Sequence, residues 1–184
     1  MRIIAGSKRG SLIAAPKGMD TRPTLSRVKE SLFGILQFGI PGKRALDLFA
    51  GSGSLGLEAL SRGAAHVVFC DSARQAAEVV RANLQKLGFT ARASVYACDY
   101  AAALRTMAAK GERVDIAFLD PPYASGLAEK ALHALAHSGL LQSGYVLVVE
   151  HAPSLPPVLP QGMRVCDTRR YGEVALSFIR EDAR

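Results

Sequence analysis

Cysteine is scarce in this chain. Cys70, Cys98 and Cys166 are odd in number and far apart, so they form no disulfide framework, and none has the close spacing of a zinc ligand pair. They read as reduced core thiols of a cytoplasmic protein. Histidine offers a metal no better pattern. His133 and His137 are four apart on an expected helix, but no third His or Cys lies near them, and His66 and His151 are far from both. Surface histidines and no metal are expected. No uninterrupted apolar run is long enough to cross a bilayer. The opening Met1-Arg2-Ile3-Ile4-Ala5-Gly6 lacks the apolar centre of a signal peptide. No membrane association is expected.

What is present is enough for one large core. The 184 residues are 49% hydrophobic and 21% charged, a balance that excludes general disorder and suggests one domain with a small extension. The charge is unevenly placed. Residues 1–44 carry nine Lys or Arg against Asp20 and Glu30, whereas the remainder balances at fourteen basic and fourteen acidic residues. A basic segment on a neutral domain suits a phosphate backbone, although a solvated face would look the same.

Along the chain, residues 1–18 alternate short extended pieces with Gly6, Gly10 and Gly18, which predicts a small hairpin or arm outside the core. Thr24 is a candidate N-cap. From Leu25 to Phe38 the apolar residues Val28, Leu32, Ile35 and Leu36 recur at helical spacing, with Arg27 and Lys29 off that stripe. Residues 1–43 therefore read as a basic arm and helix, and residues 44–184 as the main domain. From Arg44 onwards strands alternate with helices, without repeats or low-complexity segments. Strands are expected at Ala45–Ala50, His66–Asp71, Ala93–Cys98, Val114–Asp120 and Tyr145–Glu150. Short apolar strands separated by helices imply a parallel sheet covered on both faces. Met163–Arg169 and Val174–Ile179 flank Arg170-Tyr171-Gly172-Glu173, an antiparallel β-hairpin. The fold class is α/β.

In open α/β sheets ligands bind beyond the carboxyl ends of the strands. Those ends carry Asp47, Asp71, Asp99, Asp120 and Glu150, more acid than solubility requires, although Asp71 or Asp99 singly could simply cap a helix. Gly51-x-Gly53-x-x-Gly56, with Asp71 twenty residues beyond Gly51, matches the dinucleotide fingerprint. Ligand charge discriminates among its users. A pyrophosphate suits a helix N-terminus but would be repelled by nearby acids. S-adenosylmethionine brings a sulfonium and an ammonium with one carboxylate, so Asp47 and Asp120 favour it. Asp71 would hold its ribose and Asp99 its adenine amino group, with Phe49 or Tyr100 in apolar contact. After the fourth strand, Asp120-Pro121-Pro122-Tyr123 forms a loop poor in donors and rich in acceptors, because proline has no N–H. Such a loop suits a planar ligand that presents an NH2 group.

The run Leu46 to Ala59 resembles motif I of class I S-adenosylmethionine-dependent methyltransferases, and Asp120-Pro121-Pro122-Tyr123 resembles the [DN]-P-P-[YF] motif of their amino-methylating branch. Met1 to Gly6, the Thr21-Arg22-Pro23-Thr24…Arg27 to Phe33 segment and Arg170-Tyr171-Gly172 narrow the match. Together they resemble the RsmD family of bacterial 16S rRNA (guanine(966)-N(2))-methyltransferases over essentially the whole chain. One departure is Asp71, where the family usually has Glu. A shorter acid would reach a ribose through a small backbone shift or a water.

The resemblance implies a Rossmann-like class I methyltransferase fold that uses S-adenosylmethionine and acts on 16S rRNA or a partly assembled small ribosomal subunit, as a monomer without metal. Asp120, Pro121, Pro122 and Tyr123 would be catalytic. Asp47, Phe49, Gly51, Ser52, Gly53, Gly56, Asp71, Ser72, Asp99, Tyr100 and Asp120 would contact the cofactor. Arg2, Lys8, Arg9, Lys17, Arg22 and Arg27 would grip the RNA backbone without reading sequence. Three rivals stay open. A DNA adenine-N6 methyltransferase would use the same loop. A nicotinamide oxidoreductase would explain the glycines and Asp71 but not Asp120-Pro121-Pro122-Tyr123. A non-enzymatic RNA-binding protein on this fold would need only the basic arm.

Overall fold

The computed structural model describes residues 1–16, 23–122 and 126–182, with the backbone alone for residues 23–25. Helix α1 spans Pro23–Leu36. The alternating core follows: β1 Arg44–Asp47, α2 Ser54–Ser61, β2 His66–Cys70, α3 Arg74–Leu87, β3 Ala93–Tyr96, α4 Tyr100–Ala109, β4 Val114–Leu119, α5 Leu127–Ala136 and β5 Leu141–His151. Strands β6 Met163–Tyr171 and β7 Val174–Glu181 form the terminal hairpin. The sheet order is β3-β2-β1-β4-β5-β7-β6. Strands β1 to β5 pair in parallel, and β7 inserts antiparallel between β5 and β6. This is the expected parallel sheet finished by a hairpin.

Alternation along the strands builds two cores. Ala45 of β1 joins Ile116 and Phe118 under α1, α2 and α3. Leu46 faces the other way and joins Ala117 and Leu119 under α4 and α5. Strand order reverses between β1 and β4, so the crevice beyond their carboxyl ends lies between the glycine loop and the Asp120 loop. Strand β1 stops at Asp47, short of the expected Ala50, because the chain turns immediately into the glycine loop.

The N-terminal segment, expected outside the core, is part of it. Ile3 and Ile13 are 1% and 4% exposed. On α1 the buried stripe is Val28, Lys29, Leu32, Phe33 and Leu36, whereas Ile35 is exposed. The helix begins at Pro23, where a missing N–H costs nothing, so Thr24 is inside it rather than its N-cap. At the hairpin tip the Tyr171 and Ser31 hydroxyls are hydrogen-bonded, tying the end of the chain to α1. Two further readings are corrected. Cys166 is exposed and Cys98 only half-buried, because Cys166 lies on β6 and Cys98 just beyond β3, the two edges of the sheet. His151 is buried, with one ring nitrogen on the Ala152 carbonyl and the other on the Ser177 hydroxyl.

Candidate active site

The glycine loop is fixed from three sides. Beneath it, the Gly56 N–H donates to Asp47 Oδ2 at 2.9 Å. From β2, Asp71 Oδ2 accepts the Gly51 N–H at 2.8 Å while its Oδ1 accepts from Ala73 N at 2.9 Å. From α3, Asn83 donates to the Ser52 carbonyl at 3.1 Å and also exchanges hydrogen bonds with the Ala14 backbone. Gly53 adopts φ +78, a left-handed geometry. Gly56 is required by closeness instead: a Cβ there would lie 2.2 Å from Cε1 of Phe69.

Beyond the strand ends lies a cleft of about 580 Å³. Phe49, Gly51, Asp71, Ser72, Asp99, Tyr100, Asp120, Pro121 and Pro122 all line it, which brings together most of the residues expected there. Phe49 and Tyr100 have ring centroids 5.9 Å apart. Asp99 also caps α4, accepting from Ala102 N at 3.0 Å. The other expected contacts sit elsewhere. Asp47 and Ser52 line a smaller cavity of about 130 Å³ that is shared with Asp120 and Glu150, and the Ser52 hydroxyl points to the Met1 sulfur at 3.1 Å. Gly53 and Gly56 line neither space; both pack toward Phe69.

Electrostatically, burial disfavours the charged form of two carboxyls at the site. Burial pushes the Asp47 carboxyl up to about 7, with the Gly56 N–H opposing that rise and the Asp71 charge reinforcing it. Asp120 is raised well above the ordinary carboxylate range, first by burial and then by the adjacent Glu150 and Asp47 charges. Asp120 and Glu150 share a hydrogen bond. They are neighbours because Leu119 of β4 registers with Val149 of β5. Two carboxyls this close disfavour each other's ionisation, which adds to the burial that raises Asp120.

Two positions that sequence reasoning passed over hold the loop and the arm. Glu58 of α2 is fully buried. It accepts from Ile4 N at 2.8 Å, Ala5 N at 2.9 Å and Arg62 Nε at 2.9 Å, and lies 3.5 Å from Lys29 Nζ. Burial lowers the Lys29 ammonium while Glu58 works to raise it. Asn83 is the other. Each announces itself weakly in the sequence as a polar residue on an apolar helical stripe, between Leu57 and Leu60 or between Val80 and Leu84. Of the expected RNA-contacting residues, Arg2, Arg9 and Arg27 are exposed and Lys8 is half-buried, its ammonium 5.9 Å from the Phe89 ring centroid. Lys17, Arg22 and Tyr123 lie outside the described residues. Three other N-terminal cations are paired: Lys29 with Glu58, Lys43 with Asp115 and Arg44 with Glu112. Among the described residues no group of three or more His, Cys, Asp or Glu could hold a metal ion.

A family model described as Conserved hypothetical protein 95 matches residues 1–180. The Escherichia coli protein named Ribosomal RNA small subunit methyltransferase D is 34% identical over 184 residues, covering 100% of this chain and 91% of that one. The chain belongs to the RsmD family. Other similar proteins agree. YlbH of Bacillus subtilis is 42% identical over 151 residues, 82% of each chain. A solved Thermus thermophilus structure superposes with a TM-score of 0.82 at 34% identity, over 98% of this chain and 99% of that one. The RsmD family and its structural neighbours share the class I methyltransferase fold, which is the fold expected from motif I.

Proposed function

We propose that this chain transfers a methyl group from S-adenosylmethionine to the exocyclic N2 of a guanine in small-subunit rRNA. One observation carries the reading. The donor-poor Asp120-Pro121-Pro122 loop forms a wall of the same cleft that the glycine loop, Asp71 and Asp99 enclose, in a chain 34% identical end to end to a ribosomal RNA small subunit methyltransferase.

The cleft fits the cofactor by its donor set. Asp71 already holds the glycine loop, and its oxygens keep lone pairs for ribose hydroxyls. Asp99 meets the adenine amino group, and Phe49 and Tyr100 provide apolar contact. When bound, S-adenosylmethionine supplies an electrophilic methyl on a sulfonium. The guanine N2 is a poor nucleophile because its lone pair is delocalised into the ring. Asp120 and the Pro121 carbonyl accept its two N–H groups and draw the nitrogen toward tetrahedral geometry. Positive charge that develops on the nitrogen is stabilised by the Asp120–Glu150 pair, so the loop binds the transition state more tightly than the ground state. Tyr123 stacks on the base and keeps it in line. The base is accessible because it is flipped or single-stranded. After transfer the surplus proton passes to Asp120, whose raised affinity for protons suits that role. Arg2, Arg9 and Arg27 hold the RNA backbone.

The test is transfer of labelled methyl to undermethylated small-subunit RNA or particles, followed by nucleoside analysis. N2-methylguanosine is expected, with Asp120→Ala inactive while still binding the cofactor. N6-methyladenosine as the product, or full activity in Asp120→Ala, would overturn the assignment.

A further inference from the structure

On the far side of the Asp120-Pro121-Pro122 loop from the glycine loop is a second crevice, of about 360 Å³. One wall is Pro121 and Pro122, and the other is the proline-rich connection after β5, with Leu155, Pro156 and Val158. Glu150 lies between them and faces both this crevice and the small cavity behind Asp120. Leu155 and Val158 are 61% and 60% exposed, two of the few large apolar side chains left in water among the described residues. The connection is not slack at its root. The buried His151 ring holds the Ala152 carbonyl and the Ser177 hydroxyl, and Leu155 N donates back to the Ala152 carbonyl at 2.9 Å.

Three features identify the occupant. The crevice is walled by Pro121 and Pro122, which follow Asp120, and by Glu150, which is hydrogen-bonded to Asp120, so whatever fills it lies beside the reacting position. Its described lining contains Glu129 and Glu150 but no Lys or Arg, which disfavours a phosphate. Apolar walls around a carboxylate suit a flat, uncharged ring with N–H donors on one edge. Guanine offers adjacent donors, N1–H and N2–H2, on its Watson–Crick edge. Asp120 and Glu150, hydrogen-bonded to each other, offer their remaining oxygens as adjacent acceptors.

Resting on the guanine-N2 reading above, we infer that this crevice receives the flipped target base and that Glu150 is its specificity-determining residue, accepting the guanine N1–H while Asp120 accepts from N2. Adenine presents a lone pair at N1, which would face the Glu150 carboxylate and leave an acceptor opposed to an acceptor. Leu155, Pro156 and Val158 form the face that covers the ring.

The experiment uses small subunits reconstituted on 16S RNA that carries either guanine or 2,6-diaminopurine at the methylated position. Both bases have the 2-amino group; only guanine has N1–H. The intact protein is expected to prefer guanine by about tenfold or more in kcat/KM. Glu150→Gln, whose amide can donate as well as accept, is expected to lose most of that preference while binding S-adenosylmethionine normally, which also reports that the variant is folded. A Glu150→Gln variant that keeps the original guanine-to-diaminopurine ratio, whatever its absolute rate, overturns the inference and leaves the guanine-N2 assignment standing. If the intact protein places no methyl on guanine N2, the assignment itself has failed and the inference with it.

Discussion

Replacing Glu58 by Gln should loosen the N-terminal arm and destabilise the whole chain. The substitution keeps the shape and removes one charge and one acceptor. Oε1 now accepts from Ala5 N and Arg62 Nε, and Oε2 accepts from Ile4 N beside the Lys29 ammonium. An amide keeps only one oxygen, so one pair of donors must face an NH2 group. Water cannot compensate, because the Glu58 side chain is 0% exposed and that of Lys29 8%. Lys29 retains the Arg2 carbonyl at 2.7 Å and the Ser54 hydroxyl at 3.0 Å, which limits the damage. Breaking a buried pair from one side costs about 3–5 kcal/mol, and the remaining partners of Lys29 place the expectation near 3 kcal/mol. With a urea slope of about 2 kcal/mol per molar, the midpoint should fall by roughly 1.5 M. Amide exchange should accelerate at Ile4 and Ala5 before the rest of the chain. The pair can also be isolated with Lys29→Met and the double variant, whose cost should be smaller than the sum of the singles by about 1 kcal/mol or more. A loss under about 0.5 kcal/mol for Glu58→Gln, or an additive cycle, would refute the view that this buried carboxylate organises the arm.

Two further outcomes follow from the glycine loop. Gly56→Ala places a methyl 2.2 Å from Cε1 of Phe69 and 2.9 Å from Cγ1 of Val67, both fully buried. It should cost about 2–3 kcal/mol by overpacking and weaken cofactor binding, measured by denaturation and calorimetry; wild-type behaviour in both would show that the loop has slack. Asp47 governs a pH dependence. Its folded-state value is raised to about 7 from 3.8, so the folded protein holds that proton more tightly. Its stabilising contribution is full on the acid side of the unfolded value and is lost as pH rises through about 7, to a ceiling of about 4 kcal/mol. Asp47→Asn keeps an acceptor for the Gly56 N–H without the titration. Its stability should fall less than that of the parent between pH 4 and pH 8, and parallel curves would refute the assignment.

Local chemistry wrote much of this protein into its sequence. Strand–helix alternation requires a parallel sheet, and proline after β4 requires a donor-poor loop, because both follow from backbone groups that neighbouring residues either supply or lack. The acids at the strand ends were legible for the same reason: strand ends in such a sheet converge. The family was legible in motif order. Partition between places that touch and places that merely adjoin was not. Asp47 and Gly56 belong to the right motif yet face inward, toward each other and Phe69, because a tight turn uses its own side chains to hold itself. The arm looked like a solvated appendage, since nothing local in Ile4, Ala14, Lys29 or Ser31 reveals that Glu58, Asn83 and Tyr171, distant in sequence, are waiting for them. Asp120 is the sharpest case. The sequence determined that a carboxylate followed by two prolines would stand at the end of β4; the register of β4 with β5 alone decided that Glu150 would hydrogen-bond it and raise its affinity for a proton.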